Sequence, residues 1–203
     1  MKTAWVFPGQ GSQYPGMGLM LFQQVARARQ LLAATRSGDA VAVAARNGRL
    51  HLTLTGTTAA LAAIERRAVA LGALSTWIEA AGPWHSERLA DASRELLAKL
   101  QDMPFHPPQL PVFMSAGGTA VTTPPALREA LAVQWSRPVL WDAMVAGMLA
   151  QEVRVFLEVG PGRVLTGLLS QMELPAGVRC YFLERPGGAT SLFKPGFIEK
   201  LKQ

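Results

Sequence analysis

Short apolar strands alternating with helical stretches predict an α/β fold with a mainly parallel sheet. Three observations carry that prediction. Apolar runs such as 3–7 and 153–159 stop at Pro8-Gly9 and Gly160-Pro161-Gly162. Stretches with helical spacing of apolar residues lie between such runs. The composition, 49% apolar and 17% charged over 203 residues, is that of a chain with a core to bury, enough for one ordinary domain or two small ones. A disordered chain has the reverse balance.

Taken in order, Thr3 to Phe7 reads as a buried strand that ends in the glycine-rich loop Pro8 to Gly18. Leu21 to Ala34 has helical spacing, with Val25, Leu31 and Leu32 apolar and Arg27, Arg29 and Gln30 polar. Val41 to Ala45 reads as a strand, Asn47-Gly48 as a turn, and Leu50 to Thr55 as an alternating strand ended by Gly56. Thr57 or Thr58 can cap a helix from Ala59 to Leu71, closed by Gly72. Leu74 to Ala80 is expected as a further strand, completing a β-β-α-β order. Gly82 to Ser86 is a loop, and a helix follows to about Leu100. Residues 103–111 are proline-rich and extended, and Val112 to Ser115 is a short strand. Pro124 or Pro125 opens a helix through Ala132, since proline suits a first turn. Another helix starts near Pro138 and reaches Ala150. Val153 to Val159 is an apolar strand, Gly160-Pro161-Gly162 turns the chain, Arg163 to Met172 is helical and Val178 to Leu183 is a last strand. The tail from Arg185 is weakly patterned. There is no internal repeat.

Several function classes are excluded or disfavoured. No apolar run approaches the roughly 18 residues of a membrane helix. The first ten residues carry one charge but no long apolar stretch and no small-residue cleavage site, so they do not read as a signal peptide. One cysteine, Cys180, makes neither an internal disulfide nor a cysteine-based zinc site, and the cytoplasm is the default compartment. The formal net charge of +6 suits acidic partners or phosphorylated cofactors, but it gives no nucleic-acid face: the arginines are dispersed, with only Arg66 and Arg67 adjacent.

Ligands of parallel sheets bind at loops beyond the strand C-ends, and three loops have that placement. In the first, Gln10 can donate to a developing oxyanion from a loop of glycines; the alternative is a turn whose glycines serve geometry alone. In the second, His85 in Gly-Pro-Trp-His-Ser can act as a general base where a nucleophile lies in reach, or can be a loop histidine bonded to backbone. In the third, Gly160-Pro161-Gly162-Arg163 can bind phosphate at a helix start or simply turn, and the turn is the safer reading because neither phosphate-loop spacing fits. His51 and His106 look structural or solvated, and no metal site is expected. Cys180 sits in an apolar strand and reads as packing. The nucleophile is missing: no G-x-S-x-G occurs, since Ser12 lacks the second glycine and Ser115 the first.

The ordered motifs resemble the malonyl-CoA:acyl carrier protein transacylase family, which includes the acyltransferase domains of polyketide synthases and the transacylase (epsilon) subunit of malonate decarboxylase. Residues 5–13, Trp-Val-Phe-Pro-Gly-Gln-Gly-Ser-Gln, match its N-terminal signature. Asn47 and Leu50 to Gly56 resemble its N-x-P-x-Q-x-V-x-x-G stretch, with Arg49 for the proline and His51 for the glutamine. Gly82 to Ser86, Pro111 to Ser115, Ser136 to Trp141 and Phe156 to Gly162 follow in family order, nearly to Leu183.

The resemblance implies an α/β-hydrolase-like acyltransferase core over residues 1–40 and 82–203, and a small ferredoxin-like subdomain over 41–81, both incomplete. It implies His85 as general base, Gln10 beside an oxyanion hole shared with Gly9 and Gly11, and a backbone carbonyl near Leu140 that orients the histidine. Trp84, Ser86 and Asn47 would border the acyl pocket; the Trp84-His85-Ser86 loop is closest to the type that goes with malonyl groups. The implied activity is transfer of a malonyl or similar acyl group from CoA to the phosphopantetheine thiol of an acyl carrier protein. The partners would be that carrier, malonyl-CoA and a larger decarboxylase or synthase complex, with no permanent cofactor, metal, nucleic acid or membrane. The chain departs from the family between Gly18 and about Val41, where the G-H-S-x-G elbow and the arginine-bearing helix are absent. An omitted segment joined between Gly18 and Gln30, a non-catalytic carrier- or partner-binding protein, and one half of a split enzyme each account for that.

Overall fold

The computed structural model describes residues 2–7, 41–78, 80, 82–160 and 162–183. The expected loop 8–18, the helix 21–34 and the tail lie outside these. The chain divides into two compact units, whose described parts are 2–7 with 148–183, and 41–147.

The first unit is a parallel sheet in the order β1-β7-β8: β1 is Lys2–Val6, β7 Val153–Val159 and β8 Arg179–Leu183. Trp5 pairs with Leu157, and Leu157 with Tyr181 on the other side. The central position explains the apolar segment Val155-Phe156-Leu157 of β7, all three residues being buried. Each large side chain so buried contributes about 1.5–3 kcal/mol. The edge strand β1 buries Val6 and leaves Trp5 and Phe7 exposed.

Glu158 is fully buried within that apolar strand, and its carboxylate is completely occupied. Oε1 accepts from Leu165 N–H at 3.0 Å; Oε2 accepts from Thr166 N–H at 2.8 Å and from the Thr166 hydroxyl at 2.7 Å. These are orphan donors of the first turn of the helix Val164–Leu169 (α5 in chain order), whose own N-cap, Arg163, supplies no capping side chain. The strand therefore caps the helix that follows it. The helix ends three residues short of the expected Met172, because Gln171 and Met172 bond back only three residues and tighten the last turn.

The second unit contains a sheet ordered β3-β2-β6, with β2 Val41–Gly48 and β3 His51–Gly56 antiparallel, and β6 Val139–Leu140 parallel to β2. The hairpin turns at Arg49-Leu50 rather than at the expected Asn47-Gly48. The pairing runs from Arg46↔Leu52 to Gly48↔His51, so Asn47 is an extra residue in a bulge that carries the strand past the predicted turn. Helix α1, Thr58–Ala70, is capped by Thr57, whose hydroxyl oxygen accepts from Ala60 N–H at 3.4 Å. It closes with Gly72 at φ 83°, Gly72 N–H on Val69 O and Ala73 N–H on Ala68 O, a left-handed glycine stop.

The strand expected at Leu74–Ala80 does not form: its described residues belong to no sheet. They cross α1 instead, where Ser75 Oγ and Trp77 Nε1 donate to the two oxygens of Glu65 at 2.9 and 2.8 Å.

A 3₁₀ turn, Glu87–Leu89, leads into α2, Ala90–Gln101. Helix α3, Pro124–Val133, starts with proline in the first turn, as expected, and Thr123 is its N-cap. Arg128 of α3 donates to Leu100 O at 2.7 Å and Met103 O at 3.2 Å, so one helix closes the carbonyl end of the other. The hairpin β4 (Val112–Phe113) and β5 (Ala120–Val121) encloses the loop Met114 to Thr119. Gly118 lies at φ 64°, and a Cβ there would stand 2.7 Å from Ala143 Cβ. After Pro138 the chain forms β6 before helix α4, Trp141–Ala150, which leaves the unit at Gly147. Arg46 of β2 clamps Asp142 at the head of α4, with Nη2 2.9 Å from Oδ2. Among the described residues no helix is long and apolar enough to cross a membrane.

Two stability outcomes follow from this geometry. Glu158→Ala leaves two part-buried N–H groups without their carboxylate partner and is expected to cost about 2 kcal/mol in urea unfolding. Gly118→Ala forces a side chain into left-handed backbone and into Ala143, and about 2 kcal/mol is expected by the same measurement.

Candidate functional site

Loop 82–86 presents the best-formed arrangement of functional groups among the described residues. His85 has φ 60°, a left-handed conformation that non-glycine residues rarely hold without constraint. Two consecutive carbonyls hold it there. His85 N–H donates to Trp135 O at 2.8 Å, and ring Nδ1 lies 2.8 Å from Gln134 O. A carbonyl oxygen only accepts, so Nδ1 carries the proton. In the neutral ring Nε2 is then left with the lone pair, the form a general base requires.

The origin of those carbonyls is local. Gln134 is the C-cap of α3, and the last carbonyls of a helix have no partners within it. The same helix end presents partial negative charge to the imidazole. The turn after α3 is tied down by Ser136: its N–H and hydroxyl reach Val133 O at 3.1 and 3.3 Å, and its Oγ accepts from Ser93 Oγ of α2 at 2.9 Å. Both serines are buried. An exposed pair, Arg137 and Glu87 at 3.8 Å, adds little across the same junction.

The orienting carbonyl thus belongs to Gln134, not to the expected neighbourhood of Leu140. Leu140 is committed to β6, and its N–H donates to Ser115 O at 2.8 Å. A backbone carbonyl has no residue-type signature, so only its place could have announced it: a helix end just ahead of Pro138, in a fold where a loop histidine needs an acceptor for Nδ1.

The other expected site residues fall as follows. Trp84 is partly exposed on the His85 loop, and its indole stands 3.5 Å from where a Cβ on Gly82 would be. Ser86 is 5% exposed and donates to Pro83 O at 2.6 Å, so its hydroxyl proton closes the loop rather than facing a pocket. Asn47 Nδ2 donates to Thr53 Oγ1 at 3.1 Å across the hairpin, with no hydrogen bond to the His85 loop. Gln10, Gly9 and Gly11 lie outside the described residues. Among the described residues no hydroxyl or thiol is hydrogen-bonded to His85 Nε2, and no cluster could hold a metal ion.

The remaining candidates have structural roles. The helix start after Gly160 is occupied by Glu158, so the turn reading holds there and the phosphate reading does not. Burial pushes the Cys180 thiol up from its ordinary pKa, which fits a packing role in β8. His51 lines a cleft of ≈ 80 Å³ with Leu61, Ile64, Glu65 and Trp77, within the second unit. His106 is exposed.

No family model matches the chain. It is 37% identical over 90 residues to the malonyl CoA-acyl carrier protein transacylase of Escherichia coli K12, a stretch that is 44% of this chain and 29% of that protein. It superposes with a TM-score of 0.76 on an acyl carrier protein S-malonyltransferase from Vibrio cholerae, at 24% identity, covering 90% of this chain and 60% of that one. A malonyl-transacylase solved in complex with a type II polyketide acyl carrier protein gives a TM-score of 0.75 at 23% identity, covering 87% and 57%. The chain therefore spans less than two thirds of these relatives. The fold is the α/β fold of these structures, in partial form. The curated and structural neighbours are consistently malonyl-CoA:acyl carrier protein transacylases, and that is what this chain is similar to.

Proposed function

We propose that this chain contributes the base-bearing portion of a transacylase that moves a malonyl or similar acyl group from CoA to the phosphopantetheine thiol of an acyl carrier protein. The observation that carries the reading is His85 held through Nδ1 by Gln134 O, which leaves the Nε2 lone pair available with a carbonyl rather than a carboxylate as the partner of Nδ1. In the proposed ping-pong sequence a serine hydroxyl attacks the thioester carbonyl while Nε2 takes its proton. The tetrahedral centre collapses, CoA leaves as its thiol with that proton, and the carrier thiol attacks the acyl-serine in the second half. Gln10, with the backbone near Gly9 and Gly11, would hold the oxyanion. The serine lies outside these 203 residues, which contain no G-x-S-x-G.

The positive net charge of +6 suits both CoA phosphates and an acidic carrier. Residues 41–81 would form the partial small subdomain, and the substrates would be the only thioester groups involved, with no permanent cofactor. A cytoplasmic location and a place in a larger decarboxylase or synthase complex belong to the same proposal. The missing elbow also favours a second reading, a non-catalytic or split acyltransferase-like protein that binds a carrier or a partner subunit.

The intact mass of the purified protein, with and without malonyl-CoA, separates the two. A gain of one malonyl group supports the transacylase; carrier binding without any gain supports the second reading. In a protein that acylates, His85→Asn is expected to slow transfer about 100- to 10,000-fold with little change in Tm, since asparagine tolerates left-handed backbone. Unchanged turnover would remove His85 from the mechanism.

A further inference from the structure

We propose that Ser93 and Ser136 are positioning residues for His85, a role that rests on the reading of His85 as the base. The two serines are buried at 6% exposure each. Their hydroxyls form a directed chain: Ser93 Oγ donates to Ser136 Oγ at 2.9 Å, and Ser136 Oγ donates to Val133 O at 3.3 Å. That uses the single proton of each hydroxyl, so the order of donation is set.

The chain of bonds spans the elements that meet at His85. Ser93 lies in the first turns of α2, which continues directly from the histidine loop through the 3₁₀ turn Glu87–Leu89. Ser136 closes the turn that carries Gln134 O and Trp135 O, the two acceptors of His85. The serine pair therefore fixes the distance between the histidine and the carbonyl that selects its tautomer. The exposed Arg137–Glu87 pair, at 3.8 Å, crosses the same junction but is too solvated to do so. Without the serine tie, the Gln134 carbonyl is free to turn toward water, and Nδ1 loses the acceptor that keeps its proton there.

The test reads the ring nitrogens of His85 by ¹⁵N NMR in the whole protein, with the signals assigned by His85→Asn. Wild type is expected to give the Nδ1–H pattern. Ser136→Ala and Ser93→Ala are expected to lose it in favour of the Nε2–H or an averaged pattern, and Ser136→Thr, which keeps the hydroxyl, to restore it. Ser93→Ala leaves the Ser136–Val133 bonds in place and carries the test alone if Ser136→Ala does not fold. Retention of the Nδ1–H pattern in a folded Ser93→Ala protein overturns the proposal. So does its loss in Ser136→Thr to the same degree as in Ser136→Ala. The readout needs no substrate: a wild-type protein with the Nδ1–H pattern that never acylates counts against the transacylase reading and leaves the serine tie standing.

Discussion

A helix leaves its first N–H groups and last carbonyls without partners, and a protein that buries those ends must supply partners from elsewhere. Three junctions in the described part of this chain are solved that way. Glu158 reaches from a strand to the donors of Leu165 and Thr166. Arg128 reaches from α3 to the carbonyls of Leu100 and Met103. His85 takes the carbonyls of Gln134 and Trp135. In each case the side chain that satisfies the helix end also fixes a neighbouring element, so the connections between elements are polar although the elements are apolar inside.

The third junction differs from the others in what it does to the side chain. Glu158 and Arg128 spend their polar atoms on closure. His85 spends its backbone N–H and one ring nitrogen, and the second ring nitrogen makes no hydrogen bond to a hydroxyl or thiol among the described residues. A carbonyl in place of a carboxylate adds no full negative charge beside the imidazole. It imposes direction through hydrogen-bond geometry and the partial charge of a helix end.

The strands and helices with strong periodicity were legible. Val153–Val159 is read correctly to the residue, because a strand central in a parallel sheet must be apolar on both faces. Thr57, Gly72 and the proline opening Pro124–Val133 mark their helix ends as their chemistry demands. The misreadings have particular causes. The turn at Arg49-Leu50 was hidden by a bulge that absorbs Asn47. The segment after Leu74 has the alternation of a strand but spends Ser75 and Trp77 on Glu65. The loop that carries His85 was legible in the sequence, whereas the hydrogen-bond acceptor Gln134 was not, since it acts through an atom every residue possesses. Ser93 and Ser136 carry no pattern in sequence, being 43 residues apart.

The position of Cys180 has a consequence for how this protein behaves in air. It is the chain's single sulfhydryl, and its burial in β8 against β7 disfavours the thiolate, the species that oxidants and alkylating reagents attack. Disulfide-linked dimers should therefore form only slowly on storage. A cysteine placed on the surface would then react well ahead of the native one, giving a uniquely addressable label without prior removal of Cys180.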